Sequence, residues 1–312
     1  MALAIQELGG ARRPNRTKGE IAEFNDHIFA ITERQQPCTS RHIYYQAVTA
    51  RLIDKDGKDP VTGKQSRKNE ALIWRALGGM RESGRMPFPW IVDHTRWRLG
   101  AELYDSKEAA LRALAQSYRY NLWLNQPYRL EVWVEADSMA GMVTQITEEY
   151  GVDVLPCRGQ ASKGFVDEAA RFYRRLQVPV VVLYIGDWDP AGVLIDASLE
   201  ERMRRYSRGE AEIIFERLAI NPDHLAELRN LSHPTNRGKL FPRFVARCRQ
   251  LGVDPGLSVE TEALSPDRLR GLLTNAIERY IDHRQLEIAR LIEQEERAGL
   301  TLLATSFGRE SG

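Results

Sequence analysis

The sequence predicts an α/β domain with a mostly parallel sheet, preceded by an all-helical N-terminal module. From residue 128 onward, apolar strand-like runs alternate with amphipathic helical stretches; VPVVVLYIG is apolar almost throughout, as in a strand covered on both faces. Before residue 104 the apolar residues recur at helical spacing and no such run occurs. Charge divides along the same line: residues 1–100 carry 17 Lys and Arg against 11 Asp and Glu, and the remainder 27 against 32.

Residues 1–18, rich in Gly, Pro and Arg, read as a flexible basic arm. Over 18–35, Ile21, Phe24, Ile28 and Ile31 mark a helix that Pro37 ends. Thr39 or Ser40 can cap a second helix, RHIYYQAVTARLI. The stretch DKDGKDPVTGKQS is a loop by its turn formers. A third helix over 67–82 carries Leu72, Ile73, Ala76, Leu77 and Met80 on one face, with Arg67, Lys68, Arg75 and Arg81 elsewhere. After Ser83-Gly84, the basic and aromatic stretch RMPFPWIVDHTRWRL is expected to form a short strand pair. Three helices and a basic hairpin make the layout of a winged helix, whose third helix enters the major groove. Residues 19–104 are therefore expected to grip double-stranded DNA, with Arg67, Lys68 and Arg75 as contacts. A connecting helix is expected within 105–127.

In 128–312 the expected order is strand LEVWVEA, helix MAGMVTQITEEY, strand VDVLP, helix FVDEAARFYRRL and strand VPVVVLYIG. Helix PAGVLIDASLEERMRRY and strand AEIIFERLAI follow, then a further strand in GLSVETEAL and one long helix over 265–298. No apolar run approaches the roughly 18 residues of a membrane span, so no membrane partner is expected. The N-terminus lacks the layout of a signal peptide. Cys38, Cys157 and Cys248 are far apart and form no CxxC pair, which argues against a disulfide framework or a zinc site and fits a reducing cytoplasm.

Chemistry concentrates at two strand ends. The first strand ends in V-E-A-D, which puts Glu135 at its carboxyl end. The third ends in I-G-D-W-D-P-A-G, which puts Asp187 and Asp189 at its own. Ligands of open α/β sheets bind outside the carboxyl ends of the strands. Residues two apart in extended chain point the same way, so the two aspartates can share a cation. Hard oxygen donors without His or Cys favour Mg²⁺. Arg158 and Lys163, in and after the turn following the second strand, are candidate phosphate contacts. His233, Asn236, Arg237 and Lys239 form a polar loop that can line the same cleft.

The order V-E, then R-G-Q-A-S-K-G, then G-D-W-D-P-A-G resembles a Toprim domain, a Rossmann-like α/β fold, and more narrowly that of the topoisomerase VI A subunit and the meiotic double-strand-break transesterase. Val259–Leu264 (V-E-T-E-A-L) resembles a segment downstream of the Toprim core in that family. The resemblance extends to Arg41-His42-Ile43-Tyr44-Tyr45, which matches the family's R-D-I-Y-Y motif with His42 in the acidic position; Ala136 stands where relatives often carry Lys.

That resemblance implies Tyr45 as the nucleophile, Arg41 as its neighbouring cation, Glu135 as general acid/base or metal ligand, and Asp187 and Asp189 as Mg²⁺ ligands. It implies a homodimer in which Tyr45 of one copy faces the carboxylates of the other. The expected activity is that of a type IIB topoisomerase-like transesterase, closest to stand-alone A-subunit homologues of mobile elements, acting at the nucleoid. No P-loop occurs in the chain, so any ATP dependence would come from a B-type ATPase subunit in trans. A metal nuclease using water and a catalytically inert DNA-binding regulator are the alternatives.

Overall fold

The structure, a computed structural model, describes residues 17–56, 67–91, 101–157 and 161–309. Helix α1 (Lys18–Gln35) opens with a capping box, in which the Thr17 hydroxyl accepts from the Glu20 amide and the Glu20 carboxylate accepts from the Thr17 amide. Helix α2 (Ser40–Thr49) is capped by Thr39, as its sequence suggests, and ends earlier than RHIYYQAVTARLI implies. Helix α3 (Lys68–Glu82) presents Ile73, Ala76, Leu77 and Met80 to the core. The expected strand pair is corrected in its described part. The prolines around Phe88 favour a 3-10 turn at Phe88–Trp90, and Ile91 makes only a single bridge to Cys38. Residues 92–100 lie outside the described residues, as do 1–16 of the expected arm.

Helix α4 (Lys107–Ser117) is shorter than the expected connecting helix. The α/β part then alternates β1 (Arg129–Val134), α5 (Asp137–Thr147), β2 (Asp153–Pro156), α6 (Lys163–Tyr173), β3 (Val180–Ile185), α7 (Gly192–Tyr206) and β4 (Ile213–Ala219). Its four strands are parallel in the order β2-β1-β3-β4. A short helix α8 (Pro222–Leu225) leads to an antiparallel pair, β5 (His233–Pro234) and β6 (Leu257–Ser258), with helix α9 (Phe241–Leu251) between them.

Two further expectations are corrected. The strand expected in GLSVETEAL is only the two residues of β6, after which Thr261–Ala263 turns as a 3-10 helix. The single long terminal helix is two, α10 (Pro266–Glu278) and α11 (His283–Arg309). The break is fixed by side-chain–backbone bonding: the Asp282 amide donates to Gln126 Oε1 and Gln126 Nε2 donates to the Asp282 carbonyl. Asp282 Oδ1 then accepts from the amides of Arg284 and Gln285 at the start of α11.

Alternation along the strands builds a core on each side of the sheet. Trp133, Val180, Val182 and Tyr184 pack with Val166, Ala169 and Tyr173 of α6 and with Leu199 and Met203 of α7. Leu130, Val132, Val134, Val181, Leu183 and Ile185 point the other way, onto Met139, Met142, Val143 and Ile146 of α5 and Leu273 and Ile277 of α10. This second core runs on without a break into Phe24, Ile28, Ile43, Tyr44, Tyr45 and Leu77 of the N-terminal helices. The helical module is thus seated on the α/β part through shared apolar burial, the dominant stabilising term. Among the described residues no helix is long and apolar enough to cross a membrane.

Candidate active site

β1 and β3 are neighbours with Val134 opposite Ile185, so Glu135 and the Gly186-Asp187 pair leave the sheet side by side. Glu135 Oε2 accepts from the Asp187 amide at 3.1 Å and from the Tyr184 hydroxyl at 3.2 Å. Asp187 Oδ1 accepts from the amide and hydroxyl of Thr261 at 2.8 and 2.9 Å. Asp189 Oδ1 accepts from the amides of Ala191 and Gly192 at 2.8 and 2.6 Å, and so organises the start of α7. Each carboxylate keeps one oxygen in these bonds; its other oxygen meets no hydrogen-bond donor among the described residues.

The glycines of G-D-W-D-P-A-G are required by close approach. A Cβ on Gly186 would stand 2.6 Å from Glu135 Oε2, and one on Gly192 would stand 2.3 Å from the Asp187 carbonyl oxygen. Trp188, between the two aspartates, is buried against Phe244 and exchanges backbone hydrogen bonds with Val259. That exchange ties the aspartate loop to the V-E-T-E-A-L segment and brings Glu260 and Glu262 to the site.

Burial and like charge act together here. Asp187 is pushed up to about 7 by burial first, then by the carboxylates of Glu262 and Glu135, against the Thr261 hydrogen bonds. Glu135 is raised by burial and by Asp189, while the Asp187 amide and Arg217 act the other way. Such mutual repulsion, with hard oxygen donors, is the chemistry a divalent cation relieves. Glu135, Asp187 and Asp189 thus fit Mg²⁺ in donor type. As arranged, however, no group of three His, Cys, Asp or Glu side chains among the described residues is placed to hold a metal ion, so a shared cation requires side-chain rotation.

Helix α2 lies against the 3-10 turn at Thr261–Ala263. Tyr45 on α2 is 3% exposed, and its hydroxyl donates to Glu260 Oε2; Arg41, one turn earlier, donates to the same oxygen. Burial and Glu260 raise the Tyr45 phenol far above its ordinary value, and Arg41 only partly opposes them. Burial acts against the ionised Glu260, yet Arg41, the Tyr45 hydrogen bond and His233 together hold it below the ordinary carboxylate range. The Lys55 ammonium stands 5.2 Å from the centre of the Tyr45 ring and donates to the Leu231 carbonyl. Burial lowers Lys55 to about 8. Tyr44 bonds elsewhere, its hydroxyl accepting from the Asp56 amide at 2.7 Å.

The fold therefore sets Glu135, Asp187 and Asp189 at the carboxyl ends of β1 and β3, and joins Arg41 and Tyr45 to the V-E-T-E-A-L segment that holds Asp187. Arg67, Arg75 and Lys163 are exposed, Lys68 opens α3 and Lys163 opens α6; Arg158 is outside the described residues. Sequence reasoning did not single out Glu260, Glu262, Lys55 or Arg217 as site residues. The Glu-x-Glu spacing in V-E-T-E-A-L is a signal for the first two; Lys55 sits in a loop whose sequence says only turn. Arg217, on β4, donates to the carbonyls of Gly186, Asp187, Gly192 and Ile220 and pairs with Asp196 at 2.8 Å, so it braces the aspartate loop from below. No protein-family model matches the chain, and no curated protein matches it.

Proposed function

We propose that the chain is a Mg²⁺-dependent, DNA-cleaving transesterase of the topoisomerase VI A-subunit type, with Tyr45 as its nucleophile. The observation that carries this reading is that Arg41 and Tyr45, from the basic helical module, bond to Glu260 in the segment whose next residue, Thr261, holds Asp187. In the proposed reaction the Tyr45 oxygen loses its proton and bonds to phosphorus. The bond from phosphorus to the 3′-oxygen breaks, and that oxygen leaves as a hydroxyl. A 5′-phosphotyrosyl link and a free 3′ end result.

Arg41 neutralises charge on the phosphate. Glu135, Asp187 and Asp189 would hold Mg²⁺, which when bound supplies a positive charge for the departing oxygen. Thr261 and Arg217 keep the aspartate loop in place. Arg67, Lys68, Arg75, Arg158 and Lys163 supply the wider contact to duplex DNA.

The test is incubation with supercoiled plasmid and Mg²⁺, stopped with SDS, with and without proteinase K. Broken DNA that enters the gel only after proteolysis, and is absent from Tyr45→Phe and Asp187→Ala, is the expected result. One observation favours a second reading. Tyr45 is buried and hydrogen-bonded to Glu260, as a structural tyrosine would be. In that case the carboxylates cut with water, and Tyr45→Phe still yields free ends. No cutting by any variant leaves an inert DNA-binding regulator, or a subunit dependent on an ATPase partner. The homodimer that the resemblance implies is a separate arrangement of the same residues, since within one chain Tyr45 already meets Glu260. Mixing Tyr45→Phe with Asp187→Ala restores cleavage if nucleophile and carboxylates come from different copies.

A further inference from the structure

We propose that Arg41, Lys55 and the Tyr45 hydroxyl form a binding site for one backbone phosphate of DNA, and that Glu260 fills this site from within the chain until a phosphate displaces it. The inference rests on the DNA-acting reading above and adds an occupant that must leave. A guanidinium and a phenol converge on a single anionic oxygen, Glu260 Oε2, and an ammonium stands over the face of the same phenol ring. Two cations face the carboxylates of Glu260 and Glu262 here, so the departure of Glu260 leaves an excess of positive charge for an incoming anion. A phosphodiester oxygen offers the same charge and the same acceptor geometry, and the planar fork of Arg suits phosphate as well as carboxylate.

The pocket is open on one side. The Arg41 side chain keeps 45% of its surface exposed and Glu260 keeps 25%, so an incoming phosphate can reach Arg41 without unfolding the site. Glu260 is held on its far side only by a short connection. It follows the two-residue strand β6 and precedes the 3-10 turn at Thr261, so its side chain can swing out while Thr261 stays bonded to Asp187. The same carboxylate caps the Tyr45 hydroxyl, and its departure both admits the phosphate and frees the oxygen that would attack it.

The test measures binding of the full chain to a short fluorescent duplex by anisotropy, at several salt concentrations, for wild type, Glu260→Gln, Arg41→Ala and the double variant. Glu260→Gln is expected to tighten binding about tenfold, because the occupant no longer competes. The salt slope is expected to stay the same, because the phosphate contact forms in both proteins, and to fall by about 0.9 when Arg41→Ala removes that contact. The gain in affinity is expected to vanish in the Arg41→Ala background. Lys55→Gln, which leaves Glu260 in place, is expected to weaken binding. An unchanged affinity in Glu260→Gln overturns the proposal. So does a gain that persists without Arg41, since that is a general charge effect. If wild type and every variant melt cooperatively yet bind no duplex, the DNA-acting reading itself fails, and the phosphate site fails with it.

Discussion

The Tyr45 hydroxyl donates to the carboxylate of Glu260, 215 residues further along the chain. This bond joins the helical module to the α/β part at the candidate site, and Arg41 shares its acceptor. Tyr45→Phe keeps the buried ring and removes only the donor. It is expected to cost about 1 kcal/mol of stability, read by denaturant unfolding, while abolishing covalent attachment to DNA. A much larger loss of stability would mark Tyr45 as chiefly structural.

Arg217 is nearly buried and bonds four carbonyls as well as Asp196. Arg217→Ala strands the Asp196 charge and several carbonyls, and is expected to cost about 3–5 kcal/mol. Arg217→Lys keeps the charge without the fork and is expected to recover only part of the loss. Urea midpoints of the two variants beside Asp196→Asn check this; equal stability of wild type and Arg217→Ala would remove Arg217 as the brace of the aspartate loop.

Two helical glycines make a controlled contrast. Gly192→Ala drives a methyl carbon to 2.3 Å from the Asp187 carbonyl oxygen and is expected to destabilise by about 1–3 kcal/mol. Gly271→Ala on α10 meets nothing within 4 Å and is expected to stabilise by up to about 1 kcal/mol. Thermal melts of both variants decide whether close approach, rather than backbone freedom, requires Gly192.

His42 is fully buried beside the Thr39 hydroxyl, and burial lowers it to about 3. Its folded value lies below its unfolded one, so the stability it carries as a neutral ring is complete above about pH 6.5 and is lost as pH falls. The slope approaches about 1.4 kcal/mol per pH unit below that point. His42→Gln is expected to flatten the fall in melting temperature between pH 6.5 and pH 4. An unchanged slope would contradict the burial argument.

Asp187 works in the opposite direction. Its folded value, about 7, lies above its unfolded one, so the folded chain binds this proton more tightly and stability declines as pH rises from about 4 to 7. Asp187→Asn is therefore expected to raise the melting temperature at pH 8 and change it little at pH 4. Loss of cleavage in the same variant would mark a site that gives up stability for function.

The alternation of apolar strands with helices was legible because period-2 and period-3.6 patterns are local properties, and the parallel sheet followed from strands apolar on both faces. Glu135, Asp187 and Asp189 could be read from their places at strand ends. What local pattern misplaced was the stretch around Phe88, where prolines replaced strand by turn, and the division between α10 and α11. No periodicity marks that division, because Gln126, more than 150 residues away, stabilises it.

The sequence by itself determined the alternating elements from β1 to β4, the sheet type and the three strand-end acids, since each depends on neighbours within a few residues. Only the tertiary structure decided that Glu260 grips Tyr45 and Arg41, that Lys55 lies over the Tyr45 ring, and that Arg217 braces the aspartate loop. Those relations join residues dozens to hundreds of positions apart. They exist because one apolar core, shared by the N-terminal helices and one face of the sheet, fixes where α2 meets the turn at Thr261.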